Sequence, residues 1–94
     1  PGPACYGRGG PAALTDANLL LGRLQPDLFP HAFGPDQDGP LDVSAAEAAL
    51  ASADTDGGGA SGFVAVANAR MAAAISEVST ARGHDPSTHT LLAF

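Results

Sequence analysis

The chain has 94 residues, a formal net charge of −6 and four basic side chains, every one an arginine. That size admits one small domain with a limited core, and the acidic balance excludes a basic nucleic-acid footprint and repels an anionic membrane surface. No apolar run approaches the ~20 residues a bilayer span needs, and the single cysteine cannot form an internal disulfide, a pattern that fits a reducing cytoplasm.

Residues 1–14 read as a glycine- and proline-punctuated loop. Pro1, Pro3 and Pro11 lack backbone donors, and four glycines let the backbone approach a ligand or another strand of chain closely. The loop carries Cys5, Tyr6, Gly7 and Arg8, all candidates to lie near a ligand. Residues 15–53 read as helix–loop–helix. Thr15 or Asp16 has the chemistry of an N-cap, and Ala17 to Leu24 follows as a short helix with Leu20, Leu21 and Leu24 on one face. Gly22 weakens that helix, so tight packing is its expected reason. Pro26, Pro30, Pro35 and Pro40 keep the connection from Gln25 to Leu41 irregular, with Leu28, Phe29 and Phe33 expected to anchor it. Asp42 or Ser44 opens the second helix, which runs to about Ala53, and Ser44 with Glu47 has capping-box spacing.

Residues 54–60 read as a flexible linker. Gly62 to Arg82 is the strongest helix in the chain. Val64, Ala67, Met71, Ala74, Ile75 and Val78 recur at helical spacing and make one apolar stripe. Gly83 suits the left-handed residue after the helix, and Pro86 forbids continuation. His89 to Phe94 is then a candidate strand, giving a unit of long helix plus strand over residues 61–94. The whole is expected to be mostly α: about three helices, long loops and one C-terminal strand.

Several chemical motifs are approached without being completed. Gly57 to Gly62 matches a G-x-G-x-x-G pattern ahead of a helix, but a dinucleotide fingerprint needs a strand before it, and a helix stands there instead. Gly7 to Ala12 is a looser match with the same defect. Asp36, Asp38, Asp42, Ser44 and Glu47 brush against a calcium loop, yet Pro40 and Leu41 occupy its fifth and sixth positions; a solvated acidic loop is expected. Cys5, His31, His84 and His89 lack zinc spacing. Cys5 has Arg8 close in sequence but no histidine base, so a structural role is expected. Asp16 and Asn18 are read as capping groups that also stand beside the glycine loop. Asn68 lies one residue off the apolar stripe and is expected to be half-buried with hydrogen-bond partners.

Two blocks resemble the hydantoinase A / 5-oxoprolinase family. The first is Pro1-Gly2-Pro3-Ala4-Cys5-Tyr6-Gly7-Arg8-Gly9-Gly10 with Thr15-Asp16-Ala17-Asn18 and the leucine helix after it. The second is Val66 to Ile75 with Glu77-Val78-Ser79, then Arg82-Gly83-His84-Asp85-Pro86 and Leu91 to Phe94. Together they cover roughly two thirds of the chain on a residue-by-residue reading. The middle, Asp54 to Gly59, is a poorer match, since the family usually carries a longer helical stretch there.

The resemblance implies an internal fragment of an ATP-dependent, Mg²⁺-requiring ring-opening amidohydrolase acting on hydantoins or 5-oxoproline; relatives include subunits of acetone-type carboxylases. It implies a parent with an actin/hexokinase-like ATPase fold, a cytoplasmic location and a possible second subunit of the hydantoinase B type. The family's Gly-Gly-x-Gly turn would follow Phe94, and its other nucleotide motifs lie outside these residues. The piece alone is therefore expected to be inactive, with catalytic residues unassigned, no metal of its own and no tight hold on ATP. Pro1 in place of an initiator methionine and the abrupt apolar ending fit such a fragment. The rival expectations are a small anion-binding module built on the glycine loop and a structural helical segment that docks on the rest of its parent.

Overall fold

The computed structural model describes residues 1–53 and 58–92. Three α-helices form: α1 (Leu14–Leu20), α2 (Val43–Ala53) and α3 (Gly59–Ala81). Short 3-10 turns at Ala4–Tyr6, Pro26–Leu28 and Pro86–Thr88 punctuate the connections. The mostly helical expectation holds.

Helix α1 starts earlier and stops earlier than its leucine pattern suggests. Ala13 is the N-cap residue, in extended conformation, and Asp16 sits one turn inside, where its carboxylate accepts from the Ala13 N–H at 2.8 Å. Gly22 does not lie within the helix. It is the left-handed residue beyond the end, at φ 77°. Its N–H donates to Leu19 and the Arg23 N–H reaches the Asn18 carbonyl, which satisfies the orphan acceptors of the last turn. A Cβ at Gly22 would meet open space, so dihedral freedom and not tight packing explains the glycine.

The connection from Gln25 to Leu41 is irregular as expected, with Phe33 and Gly39 closing a hairpin through two backbone hydrogen bonds. Of its three expected anchors, Phe33 packs on Tyr6, with ring centroids 5.0 Å apart, and Phe29 lies at the rim, 6.4 Å from Phe33. Leu28 is 83% exposed and anchors nothing, because the prolines on either side turn the chain outward at that point. At the head of α2, Asp42 is the capping group. Its carboxylate accepts from the Ala45 N–H at 3.0 Å.

The linker expected at 54–60 falls mostly outside the described residues, but Gly59 and Ala60 are already helical. Helix α3 ends in a Schellman arrangement: Gly83 donates to Thr80 and His84 to Ser79. Asp85 then caps the following turn, accepting from both the N–H and the hydroxyl of Ser87, which holds its carboxyl below the ordinary range. No strand forms among the described residues 89–92; the remainder of that expected strand lies outside the described residues. A strand needs a neighbour to take its backbone hydrogen bonds, and none is at hand.

The buried residues gather at one end of the molecule, whose extents are 49 × 31 × 22 Å. One cluster joins Cys5, Leu19, Leu41 and Ala46, so the opening loop, α1 and α2 meet there. A second joins Ala17, Leu50 and Val64, one residue from each helix. Beyond Val64, α3 runs out of this core.

Candidate functional site

The opening loop is built around one carboxylate. Asp16 has no solvent exposure. One of its oxygens accepts from the Cys5 N–H at 2.7 Å; the other accepts from Ala4 at 3.1 Å and Ala13 at 2.8 Å. The three donors come from the 3-10 turn at Ala4–Tyr6 and from the head of α1. A buried carboxylate with three short charge-assisted hydrogen bonds is fully engaged. The N-cap expected at Thr15 or Asp16 is Ala13 instead; Asp16 stands one turn inside, reaches back to the Ala13 N–H, and also pins a loop eleven and twelve residues upstream, which sequence spacing does not reveal.

The rest of the loop closes on itself. The Ala4 N–H also donates to the Pro11 carbonyl at 3.1 Å, and the Cys5 carbonyl accepts from Asp42 at 2.8 Å, tying the loop to the head of α2. Gly10 lies against Gly2 so closely that a Cβ would fall on the Gly2 carbonyl oxygen. Gly7, at φ 73°, ends the turn and donates to the Ala4 carbonyl. Its neighbour Tyr6 stacks on Phe33, and the Tyr6 carbonyl accepts from Gly34. Arg8, exposed, reaches the carbonyls of Ala32 and Gly34. Glycine and arginine here fasten the loop to the hairpin at 33–39.

Cys5 is fully buried beside Asp16. Burial pushes its thiol up to about 12, with the hydrogen bond to Asp16 and the negative charge of that carboxylate acting in the same direction. The thiolate, which is the nucleophilic form, is absent at neutral pH. The structural reading of Cys5 is the one this environment supports.

Cys5, Tyr6, Gly7, Arg8 and Asp16 therefore come together at one junction. Asn18 lies beside it, half-buried, with its side-chain oxygen 3.3 Å from Arg23. Asn68 is elsewhere and exposed, as is Arg70. The expectation of a half-buried, partnered Asn68 is corrected: α1 and α2 reach only as far as Val64 on α3, one turn earlier. The sequence reading missed Ala13 altogether, and it expected Phe33 as an anchor without showing that its partner is Tyr6. Neither carries chemistry, and only the folded contacts show their part.

The junction offers little to an anion or a cation. The N–H groups of residues 4–7 are all used within the loop or by Asp16. Among the described residues, no three His, Cys, Asp or Glu side chains converge to hold a metal.

Comparison with known proteins gives one consistent answer. The sequence model of the hydantoinase/oxoprolinase family matches residues 1–94. The chain is 41% identical to the 5-oxoprolinase of Dictyostelium discoideum, 40% to 5-oxoprolinase 1 of Arabidopsis thaliana and 42% to the 5-oxoprolinase of Saccharomyces cerevisiae. All of the chain is covered in each case, but only 8 to 9% of each relative. The alignments run to 105, 109 and 111 positions, so these relatives carry residues that the 94-residue chain lacks. No solved structure matches.

Proposed function

The chain belongs to the hydantoinase/oxoprolinase family, and from that premise we propose that it is a scaffolding segment of an ATP-dependent enzyme that opens the ring of 5-oxoproline or a hydantoin. The observation that carries the reading is the match along the entire chain to 5-oxoprolinases at about two residues in five. The actin-like ATPase fold, the cytoplasmic location and the association with a hydantoinase B type subunit belong to the same proposal.

In this reading the chemistry lies outside these residues. ATP activates the otherwise unreactive amide when it and Mg²⁺ are bound to the parent. Among the described residues no three His, Cys, Asp or Glu side chains converge, and Asp16 and the loop's own carbonyls take up the turn N–H groups, which supports placing the Mg²⁺ and phosphate sites elsewhere in the parent. The segment's work is to hold its opening loop rigid. Three donors on one buried carboxylate and a glycine pressed against a carbonyl make a loop whose outer face has one shape. That supports a scaffold over a free-standing anion-binding module.

The test uses the full polypeptide that carries the segment. Ring opening of 5-oxoproline or hydantoin, coupled to ADP release and dependent on Mg²⁺, is the expected result, with no ATP turnover by the 94-residue chain alone. ATP turnover by the isolated chain, abolished by Asp16→Asn, would overturn the scaffold reading. Absence of any ATP-linked ring opening in the full polypeptide would overturn the proposed activity.

A further inference from the structure

Helix α3 is about 34 Å long at 1.5 Å per residue, yet α1 and α2 cover only its first part. Val64 is buried against Ala17 and Leu50. Met71, Ile75 and Val78 follow on the same face at steps of seven, four and three, and are 49%, 44% and 58% exposed. The face is thus continuous with an established interface and then loses its cover. Arg70 and Glu77 are the helix's two charged side chains, and seven of its residues from Ala65 to Ala81 are alanines. A helix this poor in charge has the composition of one inside a larger core.

The segment after α3 has the same character. Leu91 and Leu92 are about four-fifths exposed. Between them and the helix lies an open groove of about 460 Å³, lined by Ile75, Ser79, His84, Pro86, His89 and Leu91. No helix among the described residues is long and apolar enough to cross a membrane.

We infer that the stripe Met71–Ile75–Val78 and the adjoining Leu91–Leu92 groove are the seat of an apolar element from the same polypeptide, one that continues the α1/α2 layer along α3. The length of the relatives favours an occupant in cis. In the 5-oxoprolinases the matching stretch is less than a tenth of one continuous chain, so more than enough polypeptide is present to supply it. Small alanines let that element approach closely, and the larger Met71, Ile75 and Val78 interlock with it. The inference rests on family membership and not on the proposed activity.

Cysteine accessibility in the full polypeptide tests it. Ile75→Cys and Met71→Cys are compared with Glu77→Cys, on the opposite face, for maleimide labelling under native conditions. Protection of the first two by about tenfold or more relative to Glu77→Cys is expected, lost in denaturant and absent in the isolated chain. Equal native rates in the full polypeptide would overturn the inference. So would protection that appears in the isolated chain as its concentration rises, which marks a second copy, or protection that requires a separately added subunit. Ile75→Asp gives an independent reading: it lowers the melting temperature of the full polypeptide and leaves that of the isolated chain unchanged. An unchanged melting temperature in the full polypeptide counts against the seat. Neither readout requires the enzyme to be active.

Discussion

The first 53 residues, punctuated by glycine and proline, and the distal half of α3, which has neither, give their apolar side chains opposite fates. Both are rich in alanine and leucine-type side chains. In the first region a loop, α1 and α2 fold back on one another, and Cys5, Ala17, Leu19, Leu41, Ala46 and Leu50 are buried. In the second, the same kind of side chain stands in solvent, as Met71, Ile75 and Val78 do. The difference is connectivity. Tight turns at Gly7, Gly22 and the 33–39 hairpin return the first region to itself, whereas α3 continues for 23 residues and, among the described residues, its far end meets only the short segment from His84 to Leu91. Apolar pattern marks what wants burial, but a neighbour must be supplied for burial to occur.

The comparison is sharpest where a single group holds the first region together. Asp16→Ala removes the acceptor shared by three backbone donors; Ala4 keeps the Pro11 carbonyl, while the buried Cys5 N–H and the part-buried Ala13 N–H lose the acceptor that held them. A loss of about 4 kcal/mol is expected, measured by urea denaturation, enough to unfold much of so small a domain. Because Asp16 touches only the first region, helical signal from α3 should outlast the loss of the loop. Simultaneous disappearance of both would show that the two regions are one cooperative unit.

Leu50→Ala comes next. Leu50 joins all three helices through Ala17 and Val64, and truncation costs about 3 kcal/mol. Gly10→Ala follows. Its methyl group falls on the Gly2 carbonyl oxygen, and the loop must open by more than about an ångström, for about 2 kcal/mol.

A pH dependence reports on the same junction. The Cys5 thiol is raised from 9.0 to about 12 in the folded chain. The unfolded chain therefore releases its proton first as pH rises. Cys5 contributes its full share of stability below pH 9, and that share is lost progressively between pH 9 and 12. Cys5→Ala should flatten the fall in stability across that window. An unchanged slope would mean that the thiol is not sequestered. The smallest effect is expected in the second region: Ile75→Ala in the 94-residue chain changes stability by less than about 0.5 kcal/mol, as for an exposed position. A larger loss would show that the distal half of α3 is already covered in the isolated chain.

Much of the local structure was legible in the residues. The period of α3, the caps at Asp42 and Gly83, and the prolines of the 25–41 connection act within a few positions of themselves, so their effect is written in the sequence. The errors share a cause. A leucine pattern that continues past Gly22 to Leu24 suggests packing as the reason for the glycine, while the backbone dihedral that ends the helix is invisible in a list of residue types. Leu28 and Asn68 were placed inward by pattern, and the partners they needed are not there. The strand expected from His89 lacks a neighbour on the described residues.

The opening run shows the division most clearly. Its residues alone were enough to identify the family, because the resemblance is carried by residue type and spacing. How the run is held is visible only in the fold. Residue types do not show that the chain brings three N–H donors onto the Asp16 carboxylate and buries the Cys5 thiol beside it. Hydrogen bonding and burial act between residues distant in sequence, so the commitment of a side chain to structure or to chemistry is a property of the folded neighbourhood.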